Sequence, residues 1–288
     1  MSAAPTRVIL LGAAGRMGLA ITRLLLKGSA PSLRLVAAID RPAHPAVGTD
    51  IALLAGAGAP CGIPLADDLA AALAALEPSP SAAEAPVVAI DFSHHAAAPA
   101  TAALLAAHNV AWLLGTTGLT PEETAAADAS HLCIPYLHAA NMSLGVNVLA
   151  ALVAQAATAL KGQGYDVEIV EAHHHRKADA PSGTALMLGR AAANAYGWQL
   201  DEVARDGRTG VPGPRPEQEI AFHAIRGGDI VGDHSVLFIA EGEMLSLGHR
   251  MTSRDTLAAG ALRAAAWLGV PGRLPGTYTM ADVLGLAH

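Results

Sequence analysis

Short apolar runs alternate with alanine-rich stretches throughout the first half of the chain. Each run is five to seven residues long, a length typical of a β-strand. The runs are RVILL (7–11), LRLVAAI (33–39), PVVAIDF (86–92), VAWLL (110–114) and LCIPYL (132–137). Most of the segments between them are long enough to form a crossover helix. Strands that alternate with helices predict a parallel sheet covered on both faces.

The pattern changes in the second half of the chain. Strands are predicted for VEIVEAH (167–173), EIAFHAI (219–225), HSVLFIA (234–240) and EMLSLGHRM (243–251), and a helix for SGTALMLGRAAANAYG (182–197). A tight Glu-Gly turn joins the last two strands and indicates an antiparallel hairpin. Residues 206–217 are rich in Gly, Pro and charge and predict a long loop, and a helical pattern returns after Ser253. This half therefore predicts a mixed or antiparallel sheet with a few helices.

The length and composition of the chain limit the classes of function. Its 288 residues are long for one domain and sufficient for two. A formal net charge of −7 argues against a nucleic-acid partner, because proteins that bind nucleic acid are usually basic. Any anion must then be bound by a local cluster of cations. Cys61 and Cys133 form no CxxC pair and no disulfide framework, which favours a reducing, cytoplasmic location.

Two stretches superficially resemble targeting or membrane segments. The apolar run near the N-terminus is too short and too interrupted by glycine for a signal peptide. Residues 139–160 contain no charged side chain and are long enough to span a bilayer. Their polar residues and many alanines favour instead a buried helix of a soluble protein; the polar residues are Asn141, Ser143, Asn147 and Gln155. We expect no membrane association.

A glycine-rich segment follows the first predicted strand directly. Gly12, Gly15 and Gly18 would allow a tight turn and a close approach of the backbone to a pyrophosphate at the start of the next helix. That helix is expected to run to about Lys27 and to stop at Gly28. The spacing GxxGxxG is not the commonest form of this motif, and an ordinary strand-to-helix turn is the alternative. The strand, glycines, helix and second strand together predict dinucleotide binding. With the pattern of the second half, the chain predicts an α/β fold: a Rossmann-type parallel-sheet domain plus a second α+β domain with a mixed or antiparallel sheet.

Three further segments fall where a dinucleotide would bind. The second strand ends in Asp40, whose carboxylate can accept from a ribose hydroxyl, and Arg41 can pair with a 2′-phosphate. These two neighbours indicate that both NADH and NADPH are used. GTTG (115–118) and AANMSLGVN (139–147) follow the last two strands of the first half and would lie at the carboxyl edge of the sheet, where ligands bind. Ordinary loops of small residues are the alternative for both segments.

The segment EAHHHRKADAPSGTAL (171–186) concentrates titratable side chains directly before a helix. Pro181 is well placed to begin that helix, and Ser182, Gly183 and Thr184 would expose N–H groups that can bind a carboxylate. The side chains just before them serve the same end: His174 and Lys177 can hold charge on the ligand, and His173 or Lys177 can supply a proton. We expect Asp179 to cap the helix or to pair with a cation.

Two other interpretations of the histidine run stay open. One is a solvated, charged loop. The other is a metal site, which we do not expect, because adjacent histidines diverge on an extended segment and no Glu or Cys lies at a familiar ligand spacing. On a strand, His173 and His175 would point one way and His174 the other.

Seven motifs occur in a fixed order over nearly the whole chain: GAAGRMG, DFS, GTTG, AANMSLGVN, EAHHHRKADAPSGTAL, RGGDIVGDHSVLF and SRDTLAAGALRAAAWL. In these motifs the chain resembles the dihydrodipicolinate reductase family of lysine and diaminopimelate biosynthesis. The histidine–lysine–DAPSGTA block is highly specific, whereas the glycine loop is not. The resemblance implies reduction of 4-hydroxy-tetrahydrodipicolinate, a small dicarboxylate, to tetrahydrodipicolinate by NADH or NADPH.

The resemblance also implies a role for individual residues. His173 would be the proton donor or acceptor, Lys177 a proton donor, and His174, Gly183 and Thr184 would bind substrate. The cofactor contacts would be Gly12, Ala13, Ala14, Gly15, Arg16, Met17, Asp40, Arg41, Gly115, Thr116, Thr117, Ala139, Ala140, Asn141 and Met142. The family usually has Glu at the position of Asp40, so the preference between NADH and NADPH stays open.

The family's organisation implies a discontinuous nucleotide domain, residues 1–141 and 254–288, around a substrate-binding and oligomerisation domain, residues 142–253. Family members are commonly homotetramers assembled through the sheet of the second domain. Three rival functions remain: a reductase acting on an amino acid or its semialdehyde, a nucleotide-binding protein without turnover, and a metal-binding protein.

Overall fold

The computed structural model describes residues 4–76 and 86–286. The strands in these residues are β1 (Thr6–Leu11), β2 (Leu33–Ile39), β3 (Leu65–Ala66), β4 (Val87–Asp91), β5 (Ala111–Leu114), β6 (Pro135–His138), β7 (Asp166–His173), β8 (Ala204–Asp206), β9 (Ile220–Arg226), β10 (Gly232–Ala240), β11 (Glu243–Met251) and β12 (Gly276–Tyr278). The α-helices are α1 (Arg16–Leu26), α2 (Ile51–Leu54), α3 (Leu69–Ala74), α4 (Ala98–Ala107), α5 (Pro121–Asp128), α6 (Leu144–Leu160), α7 (Gly183–Tyr196), α8 (Leu200–Val203), α9 (Asp255–Leu268) and α10 (Met280–Leu284). Short 3₁₀ helices lie at His95–Ala97 and Ala129–Leu132.

The chain divides into two compact units. The first comprises the described residues up to Ser143 and from Asp255 onward, and the second comprises Leu144–Arg254. The first unit contains a parallel sheet in the order β12-β6-β5-β4-β1-β2-β3. The second contains a mixed sheet in the order β11-β10-β7-β9-β8. The predicted α/β fold class, a Rossmann-type parallel sheet plus an α+β unit, is confirmed.

The parallel sheet is buried on both faces. The consecutive residues Val8, Ile9 and Leu10 of β1 are all fully buried, although successive side chains of a strand point to opposite faces. Helices therefore cover both faces, as the unbroken apolar runs predict. Each such side chain contributes about 1.5–3 kcal/mol relative to leaving it exposed. This burial holds rigid the carboxyl edge of the sheet, where the connecting loops emerge.

The mixed sheet packs one face against α6 and α7. Along β10, Val236 and Phe238 are fully buried in this core, whereas Leu237, which lies between them, points to the other face. β10 pairs antiparallel with both β11 and β7, which confirms the predicted hairpin, and β9 pairs parallel with β7 and β8. Register places His173 of β7 beside Arg226 of β9, and Glu171 beside His234 of β10. One end of the sheet's inner face is thereby rich in polar side chains.

Several predicted boundaries differ from those of the structure, and two of the differences have a physical reason. The strand predicted for 132–137 begins at Pro135, because the chain first makes the 3₁₀ turn Ala129–Leu132 and leaves Leu132 exposed. The loop predicted to begin at residue 206 begins one residue later, because Ala204–Asp206 pairs parallel with β9. The side chains of this edge strand form no apolar pattern, so the sequence does not predict the strand.

The uncharged segment 139–160 forms a loop and then α6, which begins at Leu144. Its buried side chains, including Leu149 and Val153, pack in the core of the second unit. In the ranges 4–76 and 86–286, no helix has both the length and the apolar character needed to cross a membrane.

Candidate active site

The glycine loop makes a tight connection between β1 and α1. Gly12 has a φ of +71°, and a Cβ on it would lie within 2.6 Å of the carbonyl carbon of Phe92. A Cβ on Gly18 would come equally close to the carbonyl carbon of Ala13. Gly15 is the N-cap of α1 and has no side chain to accept from the first-turn N–H groups. Those groups can therefore face an anionic ligand.

A cavity of about 500 Å³ lies between this loop and the end of β2. That size is ordinary for a cofactor site. Asp40 lies on its wall and accepts hydrogen bonds from the backbone N–H groups of Ala14 and Arg41, both at 2.9 Å. A carboxylate offers about four lone-pair positions, so Asp40 keeps capacity for a ribose hydroxyl. The lining includes the predicted cofactor residues Gly12, Ala14, Gly15, Asp40 and Arg41.

A second cavity, of about 390 Å³, adjoins the same loop. It brings together predicted cofactor residues from three distant segments of the chain: Gly15, Arg16, Met17, Gly115, Thr116, Thr117, Ala140 and Met142. The other three predicted residues line neither cavity. Ala13 is fully buried, the backbone N–H of Ala139 donates to Leu114, and the side chain of Asn141 accepts from the N–H of Ser143.

Asp91 organises this edge of the sheet, although sequence reasoning gave it no role. It ends β4, is fully buried, and accepts hydrogen bonds from the N–H of Ser93 at 2.9 Å and from Nε1 of Trp112 at 3.2 Å. Burial raises the pKa of Asp91, and its hydrogen bonds oppose that shift only in part. The hydroxyl of Thr116, in the GTTG segment, lies 3.5 Å from the same carboxylate. The carboxylate therefore ties the end of β4 to a cavity-lining loop.

In the second unit, Glu171 is the centre of a polar cluster. Its side chain is fully buried and receives two hydrogen bonds from the guanidinium of Arg226, at 2.7 and 2.8 Å. His173 Nδ1 lies 2.6 Å from Oε2, and the N–H of Ser182 donates to Oε1 at 3.1 Å. Burial raises the pKa of Glu171, but hydrogen bonds from Arg226 and His173 outweigh it and hold that pKa below its ordinary value. Glu171 is therefore ionised at neutral pH.

The start of α7 differs from the prediction. The helix begins at Gly183 rather than Pro181, with Ser182 as its N-cap. The hydroxyl of Ser182 accepts from the N–H of Ala185 at 3.2 Å and lies 3.1 Å from His234 Nε2. The prediction that Ser182 exposes a free N–H group is wrong, because Glu171 already accepts from it. Ser182 instead fixes the first turn, which contains the predicted substrate residues Gly183 and Thr184.

The expectation that all three histidines lie on an extended strand is wrong. β7 ends at His173, and His174 and His175 lie in the turn that follows. Lys177 pairs with Asp179 at 2.8 Å, which confirms one of the two roles expected for Asp179. Across the described ranges, no three His, Cys, Asp or Glu side chains are grouped so that they could hold a metal ion.

Arg254 joins this cluster from the end of the second unit. Its Nη2 lies 3.0 Å from His174 Nε2. Burial lowers the pKa of His174, and the charges of Arg176 and Arg254 add to that effect, so the ring is neutral at neutral pH. Arginine only donates hydrogen bonds, so Nε2 accepts and the proton lies on Nδ1. That Nδ1 has no hydrogen-bond partner among the described residues. It is a buried N–H donor that no protein group in the described ranges satisfies.

A glycine loop with adjoining cavities at the carboxyl edge of a parallel sheet, in a chain that also holds a histidine bound to a buried, ionised glutamate, is the architecture of a nicotinamide-dependent oxidoreductase. Comparison with known protein families identifies the family within this class. The model for the N-terminus of dihydrodipicolinate reductase matches residues 6–142, and that for its C-terminus matches residues 145–284. The chain belongs to the dihydrodipicolinate reductase family, which confirms the resemblance in its motifs.

Individual relatives agree with the family models. The chain is 47% identical over 281 residues to a 4-hydroxy-tetrahydrodipicolinate reductase of Anaeromyxobacter dehalogenans (strain 2CP-1 / ATCC BAA-258), covering 98% of each chain. A protein of the same name from Ruegeria pomeroyi is 45% identical over 97% of this chain and 98% of its own. The solved structure of a dipicolinate-bound dihydrodipicolinate reductase from Paenisporosarcina sp. TG-14 has a TM-score of 0.70 at 21% identity, covering 96% of this chain and 98% of that one, and supports the fold.

Proposed function

We propose that this chain reduces 4-hydroxy-tetrahydrodipicolinate to tetrahydrodipicolinate with NADH or NADPH, a step of lysine and diaminopimelate biosynthesis. The names of its relatives support this substrate. One structural observation supports the chemistry: a continuous set of polar contacts links His173 and Lys177 to the start of α7. It runs from His173 through Glu171 to Ser182, and from Lys177 through Asp179 and Arg226 back to Glu171.

The substrate is a dicarboxylate, which needs cations and N–H donors. The N–H groups of Gly183 and Thr184, in the first turn of α7, and the helix dipole favour one carboxylate there. The exposed guanidinium of Arg254, which lies 3.0 Å from Nε2 of the predicted substrate residue His174, is a further donor for the ligand. Arg254 is an addition to the predicted set. Its motif was visible in the sequence, but its position beside His174 was not.

When bound, the nicotinamide supplies a hydride to the conjugated C=C–C=N system that the substrate ring forms on losing water. The chain must stabilise the negative charge that develops on the ring and must deliver a proton. The Lys177 ammonium is one acid, held by Asp179 at 2.8 Å. The other is the ring of His173 in its protonated form, in which Nε2 carries the proton to be delivered while Nδ1–H is held by Glu171. We assign both as catalytic residues.

The experiment that tests this function couples the purified protein to the synthase that makes its unstable substrate. The near-ultraviolet absorbance of NADH or NADPH should fall only when synthase and protein are both present. Oxidation of the cofactor with an amino-acid semialdehyde and none with the synthase product would favour another reductase. Binding of NADH without oxidation in the coupled assay would indicate a binding protein.

Substitutions of Asp40 and Arg41 should change the affinities for NADH and NADPH by different amounts. Arg41→Ala should weaken NADPH by about tenfold or more and NADH much less, because hydrogen bonds to a charged phosphate are worth about 1.5–3 kcal/mol. Asp40→Ala should weaken NADH more, because it removes a ribose acceptor. Fluorescence titration of both cofactors measures this, with Arg34→Ala, an exposed arginine on β2, as the control. Equal losses for both cofactors in both variants would show that this pair does not recognise the ribose.

We also propose a homotetramer assembled through the outer face of the mixed sheet. That face, opposite α7, exposes Ile225 and Met244, which are 51% and 58% accessible, beside the half-buried Leu237 and Ile239. Burying this apolar surface between copies would favour association. Light scattering that gives the mass of a single 29.1 kDa chain would contradict the proposal. A cytoplasmic location stays a prediction, supported by the unpaired Cys61 and Cys133.

A further inference from the structure

Glu171 is the acidic member of a buried carboxylate–imidazole pair. It lies two residues before His173 on β7, so both side chains are on the inner face of the sheet. Three of its close partners are donors, namely two N–H groups of Arg226 and the backbone N–H of Ser182, and the fourth is Nδ1 of His173 at 2.6 Å. An ionised carboxylate only accepts hydrogen bonds, so His173 Nδ1 must carry a proton. In the neutral ring, Nε2 is then left with a lone pair.

We propose that Glu171 is the positioning residue of the acid–base step: it locks the His173 ring with Nδ1 as N–H, so that Nε2 alone exchanges a proton with the substrate. Its kinetic consequence rests on the function proposed above. Which nitrogen of a histidine reacts is set by the hydrogen bond of the other. A carboxylate that keeps a catalytic imidazole in one tautomer is a general device of acid–base sites.

The Nε2 side of the His173 ring is also held in place by its neighbours. A Cβ on Gly232 would lie 3.2 Å from His173 Nε2, so the ring packs closely over the bare backbone of β10. His234 packs edge-on against His173, with ring centroids 5.1 Å apart. Burial lowers the pKa of His234 to about 4, so it is a neutral neighbour. Rotation of the ring would thus break the Glu171 hydrogen bond and disturb these contacts.

Glu171→Gln should reverse the tautomer. Glutamine has one acceptor oxygen and one NH₂ group. If the oxygen replaces Oε1, it still accepts from Arg226 Nη2 and from Ser182, and the NH₂ group faces His173. His173 can accommodate that donor only by losing its proton from Nδ1 and taking one on Nε2. In this orientation the NH₂ group also opposes one fixed donor, Arg226 Nη1, whereas the flipped amide would oppose two, Ser182 N–H and Arg226 Nη2, so the first orientation is favoured.

The strand contains a matched control. Glu168 accepts from His223 Nε2 at 2.6 Å and from Arg215 Nε at 3.1 Å, which reproduces the carboxylate–histidine–arginine arrangement on the opposite face of β7. Glu168→Gln therefore removes a similar set of ionic contacts without touching His173. Glu171→Asp keeps the charge and should keep the tautomer.

The test measures the ring ¹⁵N shifts of His173 at neutral pH together with kcat and KM in the coupled assay. We expect Nδ1–H in the wild type, Glu168→Gln and Glu171→Asp, and Nε2–H in Glu171→Gln. In Glu171→Gln, kcat should fall by about 100-fold, with KM and NADH affinity little changed.

Nε2–H in the neutral ring of the wild type would overturn the inference, with no variant needed. So would an unchanged tautomer and an unchanged kcat in Glu171→Gln. If the wild-type protein fails to turn over the synthase product, the proposed function is lost. In that case the ¹⁵N shifts still decide whether Glu171 positions His173.

Discussion

Replacing His173 or Lys177 by alanine should lower kcat by about 100-fold or more in the coupled assay. Positioned general acids and bases usually contribute 100- to 10,000-fold. Each side chain is held by a carboxylate within 2.8 Å and is mostly buried, so neither is a freely solvated surface charge. NADH affinity should barely change, because the glycine loop and its cavities belong to the other unit.

Two neighbours provide controls for this prediction. His175 belongs to the same histidine run but is exposed, and Lys161 is an exposed lysine of the same unit. Alanine at either position should leave kcat unchanged. Near-normal turnover in both His173→Ala and Lys177→Ala would remove the basis for assigning the acid–base role to this cluster.

The first unit could be predicted largely from the sequence because its signals are local. A buried parallel strand is an unbroken apolar run, and the loop that follows β1 contains its glycines within seven residues. The sequence did not reveal the edge strands β3 and β12 of this unit or β8 of the second, which have two, three and three residues. Such strands are held by backbone hydrogen bonds to a neighbour and need no particular side chains.

In the second unit, the sequence predicts the site residues that are contiguous but not those that the fold brings to them. The titratable block from His173 to Thr184 is contiguous, so its chemistry was visible at once. Strand register brings Arg226 and His234 to the same site, and the path of the chain after β11 brings Arg254 there. No local sequence pattern contains this information. Glu171 is the exception: a carboxylate two residues before a histidine on a predicted strand shares its face. That spacing was a usable signal for the pair.

Alanine at Gly12 should destabilise the first unit and weaken NADH binding by about tenfold or more. Two costs add. An L-residue at a φ of +71° costs about 1–2 kcal/mol, and the new Cβ would meet the backbone of Phe92 and Ser93 within 3 Å. These contacts are backbone atoms at the end of β4, and the N–H of Phe92 also donates to Leu11 at 3.1 Å. The strands β1 and β4 would have to separate at the cavity.

Gly28 allows the two costs to be separated. It has the same φ of +71°, but a Cβ on it would meet no heavy atom within 4 Å. Gly28→Ala should therefore show only the conformational cost, and Gly12→Ala should lose a further 1–3 kcal/mol of unfolding free energy, roughly the usual cost of overpacking. Urea unfolding and NADH titration of both variants measure the difference. Gly28 lines neither cavity, so its variant should bind NADH like the wild type. Equal NADH affinity in Gly12→Ala and Gly28→Ala would show that the close approach of Gly12 to β4 does not shape the cofactor site.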